Sequence, residues 1–291
     1  MLKIGIEDTF YCQEYGFEEG LARLKVHGYE GIDYQGFVNT DTPLFEKSSH
    51  EFEACLKEQY VAIKKEGLVV HQTHGPWRYP PQDTTPEERE ERFEKMSRAI
   101  AGTAVLGCKN IIIHPIMPFT TIDEGHENET WEMNLRFMEK LSRVGRENGV
   151  VICFENMPMQ KLSLATVPEI LKIVKTIEDD YFKICLDTGH CAVRGQSPAE
   201  AVRMIGKEYL YALHIHDNDG QRDCHWSPFT GVIDWEDFGK ALLEIQYEGV
   251  ISLEVKRTAK IPKALVEYEE IGLYRKGRYI ADLACGRHLD N

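Results

Sequence analysis

A closed (β/α)8 barrel is the fold class that this 291-residue chain predicts, and three observations lead there. Short β-branched or apolar runs begin near Leu2, Gly31, Leu68, Asn110, Val150, Phe182, Leu210 and Val250. Helical patterns fill the gaps between them. No linker-like stretch interrupts the series, so a single domain spans 1–291. Strands buried on both faces read as continuous apolar runs, and eight strand–helix units in succession close a parallel barrel. An open doubly wound sheet is the alternative, but no Gly-x-Gly-x-x-Gly follows the first strand.

The elements follow in order. Met1 to Glu7 reads as a strand. It is too short and too soon charged for a signal peptide, and no segment approaches the length of a membrane span. Phe17 to His27 spaces Phe17, Leu21, Leu24 and Val26 at helical intervals, and Phe52 to Glu66 is the next helix. Thr85-Pro86-Glu87-Glu88 opens a helix that runs to Leu106, with proline and acids in the first turn. Asn128 to Asn148 is a long helix. Thr166-Val167-Pro168-Glu169 and Ser197-Pro198-Ala199-Glu200 start two more with the same device. Asp234 to Gln246 and Pro262 to Ile280 complete the set, and Gly28, Gly67, Gly107, Gly149 and Gly249 punctuate helix ends. The longest loops, 37–50, 76–85, 117–127 and 218–233, all follow strands, on the face where barrel active sites lie.

Composition narrows the function classes. A hydrophobic content of 42% supplies a sizeable core, and the formal net charge of −14 opposes non-specific binding to nucleic acid. The eight cysteines are scattered without a Cys-x-x-Cys pair. Cys108, Cys153 and Cys185 sit in or beside apolar runs as buried thiols, which suits a reduced, cytoplasmic setting.

The chemistry gathers where strands end. Val150 to Phe154 leads into Glu155-Asn156, Lys183 to Leu186 into Asp187-Thr188-Gly189-His190, Leu210 to Leu213 into His214-Ile215-His216-Asp217, and Val250 to Leu253 into Glu254. A polar residue at one strand end is unremarkable in a barrel, but four successive strands ending so point to one site. Glu155, Asp187, a histidine of the seventh strand and Glu254 would surround one divalent cation. Three carboxylates and an imidazole favour Mn²⁺ or Mg²⁺, with Co²⁺ or Zn²⁺ also compatible. His214 and His216 share a side of their strand while Ile215 faces the helices, so either can be the ligand. His74 and His114 line the pocket, His71 is structural, and His190 lies within reach of a substrate hydroxyl or supports a ligand carboxylate. Arg222, Lys256 and Arg257 are cationic candidates, although Arg257 has the opposite strand parity to Glu254. Asp223-x-His225 can bind a second metal or close over substrate. Phe10, Tyr11, Trp77 and Trp226 can wall a sugar-sized pocket.

Taken together, His74-Gly75-Pro76, His114-Pro115, Phe154-Glu155-Asn156, Leu186-Asp187-Thr188-Gly189-His190, His214-Ile215-His216-Asp217-Asn218-Asp219-Gly220, Asp223-Cys224-His225 and Leu253-Glu254 resemble the xylose isomerase-like barrel superfamily over nearly the whole chain. That grouping holds sugar isomerases and epimerases, inosose-processing enzymes and endonuclease IV-type repair enzymes. The resemblance implies a metal held by Glu155, Asp187, a histidine of the seventh strand and Glu254. The His-x-x-Asp-Asn-Asp-Gly match favours His214. An arginine six residues beyond the ligand histidine, as in the ketose 3-epimerases, would instead pair His216 with Arg222. The repair enzymes' further zinc ligands match His74, His114, His190 and the Asp223/His225 pair.

The expectation is a metal-dependent sugar or sugar phosphate isomerase or epimerase. Glu155 and Glu254 would act as base and acid, an enediolate would be stabilised by the metal, and His74, His114, His190, His216, Arg222 and Lys256 would bind substrate. A lyase on an inosose or 3-oxo-glycoside would use the same groups. Phosphodiester hydrolysis at abasic DNA and a non-catalytic binding barrel are the other readings. The expected partner is a small carbohydrate, with neither nucleic acid nor membrane, and the sequence leaves a homo-oligomer open.

Overall fold

Eight parallel strands pair in the order β7-β6-β5-β4-β3-β2-β1-β8. In this computed structural model, which describes residues 1–80, 83–256 and 261–287, the elements are β1 (Ile4–Glu7), α1 (Thr9–Tyr15), α2 (Phe17–Val26), β2 (Gly31–Tyr34), α3 (Ser49–Lys65), β3 (Val69–His74), α4 (Pro86–Val105), β4 (Asn110–Ile113), α5 (Glu127–Asn148), β5 (Val151–Glu155), α6 (Val167–Ile177), β6 (Phe182–Asp187), α7 (Thr188–Val193), α8 (Pro198–Tyr209), β7 (Leu210–His214), α9 (Trp235–Glu244), β8 (Ile251–Leu253) and α10 (Val266–Leu283). The Ile215 N–H donates to the Ser252 carbonyl at 2.9 Å and the Glu254 N–H to that of Ile215 at 3.1 Å, so β7 and β8 complete the barrel.

The predicted strands lie within two residues of their expected starts. The short helices α1 and α7 were not anticipated, because neither carries a run of apolar periodicity. The Thr85-Pro86 and Thr166-Val167-Pro168 starts are reciprocal capping boxes with Glu88 and Glu169, and Ser48 with Glu51 is a third. Gly249 does not end a helix: α9 stops at Glu244, and Gln246 takes the left-handed turn at φ 56°. Among the described residues, no helix is long and apolar enough to cross a membrane.

The barrel interior is layered by the two-residue period of the strands. On one side Ile112, Cys153, Cys185 and Ala212 form a small apolar cluster. Two residues further along the same strands stand His114, Glu155, Asp187 and His214. On the other side the lower layer is Gly5, Gly31 and Ser252, and the residues two further on are Glu7, Asp33 and Glu254. The missing side chains at Gly5 and Gly31 are filled by the His71 imidazole, whose Nε2 lies 2.9 Å from the Ser252 hydroxyl. His71 is therefore a packing residue below the site, as expected.

Two register shifts set what meets above that floor. In β3 the pairing runs Ile32 with Val70, then Asp33 with Gln72, so His71 is skipped. In β7 it runs Ile184 with Leu210, then Cys185 with Ala212, so Tyr211 is skipped and Asp187 comes opposite His214. Each shift is a β-bulge that re-aims every side chain beyond it.

The loop after β7 is held by one carboxylate. Asp217 is fully buried and accepts from the backbone N–H groups of Asn218, Thr230, Gly231 and Ile233 and from the Trp235 indole at 2.9 to 3.3 Å. Gly231 must be glycine, since a Cβ there would lie 2.1 Å from the Asn218 carbonyl oxygen.

A methyl added at Gly5 would lie 2.1 Å from His71. Gly5→Ala should therefore destabilise the fold by about 1–3 kcal/mol. Urea unfolding should find that loss partly recovered in the Gly5→Ala/His71→Ala double variant, and simple additivity would refute the packing account. Asp217→Ala strands five buried donors and should cost roughly 2–5 kcal/mol. Amide hydrogen exchange at Thr230, Gly231 and Ile233 should accelerate with it.

Candidate metal centre and active site

Four strand-end side chains converge above the apolar floor. The donor atoms of Glu155, Asp187, His214 and Glu254 all lie within 4.8 Å of one another. His214 Nδ1 stands 3.0 Å from Glu155 Oε1 and 3.4 Å from Glu254 Oε2. Its Nε2 points the opposite way, 2.9 Å from Asp33 Oδ2. Glu254 Oε2 is buried without a hydrogen-bond partner. A buried carboxylate oxygen with no donor is costly, and a hard cation ligated by three carboxylates and one imidazole satisfies it. The residues present thus fit a divalent ion.

His216, the rival candidate, is equally buried but occupies a neighbouring cluster. Its Nε2 lies 3.0 Å from Asp187 Oδ2 and its ring stacks on His225 with centroids 4.1 Å apart. Gly189 makes room for it, since a Cβ there would sit 1.9 Å from the imidazole. Asn156 braces the turn above β6: its side chain donates to the Asp187 carbonyl at 3.0 Å and accepts from the Asp187 N–H at 2.8 Å. The Asn156 carbonyl accepts from His190 Nδ1 at 2.7 Å, which leaves His190 Nε2 toward Asp223 Oδ2 at 3.6 Å. Asp223 in turn accepts from His225 Nε2 at 3.1 Å.

On the other flank, the Nδ1–H of His74 donates to the Gly75 carbonyl at 2.8 Å, so the Nε2 lone pair faces the Nε2 of His114 at 3.2 Å. That His114 nitrogen donates to Glu155 Oε2 at 2.9 Å. Three ligand-rich groups therefore adjoin: His74 and His114 with Glu155, the central four, and His190, His216, Asp223 and His225 beside Asp187.

Above them opens a cavity of about 490 Å³, within the range of small-molecule sites. His74, His114, Glu155, His190, Glu254 and Lys256 line it, as the sequence predicts. Lys256 is the one lysine or arginine among the described residues that do so. Arg222 does not reach the cavity: Asp219 Oδ2 accepts from its Nε at 2.9 Å and its side chain is 74% exposed on the outer side of the loop. Arg257 lies outside the described residues. Of the predicted aromatic walls only Trp77 lines this cavity, with Tyr79 beside it. Phe10, Tyr11 and Trp226 instead line a separate recess of about 370 Å³ against α10. No role was expected for Asp33 or Gln35, and Asn156 stood only as part of the Phe154-Glu155-Asn156 motif. Asp33 carries the same signal as Glu254, a carboxylate two residues beyond a small interior residue, but a two-residue apolar lead-in hides it.

The electrostatics separate the two glutamates. Burial alone would raise Glu155, but the imidazoles of His214 and His114 hold it well below the usual carboxylate range. Burial pushes Glu254 up to about 8, and His214 and His225 offset only part of that. Burial, with His114 adjacent, lowers His74 to about 4, so it is neutral. Burial also opposes charge on His190, but Asp187 and Asp223 carry it up to about 10.

Comparison with known proteins places this geometry. The chain is 30% identical to an uncharacterised protein of Methanocaldococcus jannaschii, over 93% of this chain and 90% of that one. It is 28% identical to a D-psicose 3-epimerase of Ruminiclostridium cellulolyticum over 48% of this chain and 45% of the epimerase. Among solved structures, the IolI protein with a bound zinc atom shares the fold with a TM-score of 0.76 at 18% identity, over the full length of both chains. The sequence model of the xylose isomerase-like TIM barrel family matches residues 21–276. The layered interior, the strand-end carboxylates and imidazoles and that match agree, and the chain belongs to the xylose isomerase-like TIM barrel family.

Proposed function

We propose that this protein is a divalent-metal-dependent sugar isomerase or epimerase that moves a proton at a carbon beside a carbonyl. The observation that carries this reading is geometric: Glu155 and Glu254 line one cavity with carboxylate oxygens within 4.8 Å of each other, and their surroundings push them in opposite directions. Proton removal and return need one carboxylate ionised and one protonated, and opposed environments prepare such a pair.

Glu155, Asp187, His214 and Glu254 would hold the ion. When bound, it supplies Lewis-acid polarisation of neighbouring substrate oxygens. The donor chemistry favours Mn²⁺ or Mg²⁺, and a protein of the same fold that binds zinc supports a divalent cation. Glu155 takes the proton at the substrate carbon. Glu254 holds or returns a proton on the other side. His74 and His114 present ring nitrogens to hydroxyls along one wall, and His190 donates from the other. Trp77 walls the cavity above them. With Lys256 as the one lysine or arginine of the lining among the described residues, and several carboxylates below, the site suits a neutral sugar better than a sugar phosphate. The eight free cysteines suit a reduced, cytoplasmic setting.

Solvent deuterium incorporation into a panel of free and phosphorylated ketoses and aldoses, with Mn²⁺ supplied and an EDTA control, tests the reading. Metal-dependent exchange beside the carbonyl of a neutral sugar is the expected result. Exchange followed by loss of water would assign a lyase on an oxidised sugar, and no exchange on any member would overturn carbon-acid chemistry. Glu155→Gln and Glu254→Gln should each lower turnover by at least ~100-fold, the size of a general acid–base contribution. Full activity in Glu254→Gln would remove that residue from the proton transfer.

A second reading has one specific observation behind it. The flanking groups, His74 and His114 with Glu155 and His190 with Asp223 and His225, extend the central set toward a multinuclear centre of the kind that hydrolyses phosphodiesters. The net charge of −14 weighs against a DNA substrate. Metal analysis separates the two readings: about one ion per chain is expected, whereas three per chain together with cleavage of an abasic duplex would replace the isomerase reading.

A further inference from the structure

The His214 ring has both nitrogens against carboxylates, yet only Nδ1 faces the ligand cluster. Nε2 faces Asp33, at the end of β2, across 181 positions of sequence. Asp33 is 1% exposed, has no place in the cavity lining and is not one of the central four donors, which it meets through His214. All of its hydrogen bonding from side chains falls on one oxygen. Oδ2 receives His214 Nε2 at 2.9 Å and the Gln72 side-chain amide at 2.9 Å, while Oδ1 is buried without a partner. The Gln72 amide nitrogen also reaches the Leu213 carbonyl at 3.3 Å. Turned the other way, the Gln72 oxygen would face both a carboxylate and a carbonyl, so the amide must donate here. The bulge that skips His71 is what brings Gln72 opposite Asp33. This bracket is therefore built by the strand register and belongs to no loop.

We infer that Asp33, held by Gln72, is a positioning residue that keeps the proton of His214 on Nε2 and so directs the Nδ1 lone pair into the four-ligand cluster. This rests on the proposed metal reading. Oδ2 can only accept, so the nitrogen facing it must carry hydrogen; Nδ1, 3.0 Å from Glu155 Oε1, carries one as well without a cation, and it is that proton, not the one on Nε2, that a cation would displace. The negative charge of Asp33 also raises the basicity of the ring toward a cation at Nδ1, the role that outer carboxylates play for ligating imidazoles. The same contact fixes the ring plane, because Nδ1 cannot swing from Glu155 and Glu254 without breaking the Nε2 bond.

The test uses Zn²⁺ as the probe, being diamagnetic, on full-length protein with ¹⁵N-labelled histidine. Long-range ¹H–¹⁵N spectra report the protonation of each ring nitrogen, and a His214→Gln variant assigns the signal. Wild type should show a protonated Nε2 and a zinc-shifted Nδ1. Asp33→Ala should lose the persistent Nε2 proton signal and bind Zn²⁺ roughly 10–100-fold more weakly by competition with a chelator. Asp33→Asn keeps an acceptor with little change in shape, and should fall between the two. A purely structural role would lower the unfolding midpoint of these variants while leaving the zinc affinity of the folded protein and the Nε2 signal unchanged, and that result overturns the inference. If Asp33→Ala does not fold, wild-type affinity and an unchanged Nε2 signal in Asp33→Asn overturn it as well. Absence of any zinc-dependent shift at Nδ1 in wild type would instead refute the metal reading, and the inference with it.

Discussion

At the top of the barrel the His214 imidazole lies with Asp33 on one side and Glu155 on the other, in a layer from which water is excluded. Burying one carboxylate without a partner is costly, and this layer also holds Asp187 and Glu254. Each of these acids is consequently placed within reach of an imidazole: Glu155 beside His114 and His214, Asp187 beside His216 and His190, Glu254 beside His214 and His225. The need to satisfy buried carboxylates accounts for the density of histidines better than any single catalytic role does. Two oxygens of the layer, Glu254 Oε2 and Asp33 Oδ1, are left without a hydrogen-bond partner.

That charged layer requires a dry, rigid support. Ile112, Cys153, Cys185 and Ala212 supply it directly beneath His114, Glu155, Asp187 and His214. On the opposite side Gly5 and Gly31 carry no side chain and His71 occupies the space. A floor of small and medium residues lets the larger polar groups above it approach one another. Precision then comes from the two bulges. Without the skipped Tyr211, the residues of β7 would meet β6 one position out of step, and Asp187 would not face His214.

The same electrostatics that stabilise the layer bias its chemistry. Glu155 sits between two imidazoles and stays ionised, while Glu254, further from compensating charge, is driven toward the protonated form. The two therefore differ in readiness to take or give a proton although they are chemically alike and belong to one layer. The cavity above is lined, among the described residues, by three carboxylates, Glu155, Asp223 and Glu254, by Lys256 and by the imidazoles of His74, His114, His190 and His225.

Most of the architecture was legible in the amino-acid sequence because it is encoded locally. Apolar runs that stop at Glu155, Asp187, His214 and Glu254 declare strand ends within a few residues, and Thr85 with Glu88 declares a helix start within one turn. Given eight such units, convergence of the strand ends follows from barrel closure, and so the gathering of Glu155, Asp187 and Glu254 with a histidine of the seventh strand was readable. Which histidine meets Glu155 and Glu254 was not, since His214 and His216 have the same parity and only the register of β6 against β7 gives them different neighbours. Arg222 looked like a substrate contact but is captured by Asp219 three residues before it, and Phe10, Tyr11 and Trp226 face a different recess. Asp33 gained its role from partners at Gln72 and His214, far away in sequence. Periodicity, caps and strand ends are properties of neighbouring residues, so the chain alone determined them. Register, the direction of loop side chains and the pairing of buried charges depend on which distant segments meet, and only the tertiary structure decided those.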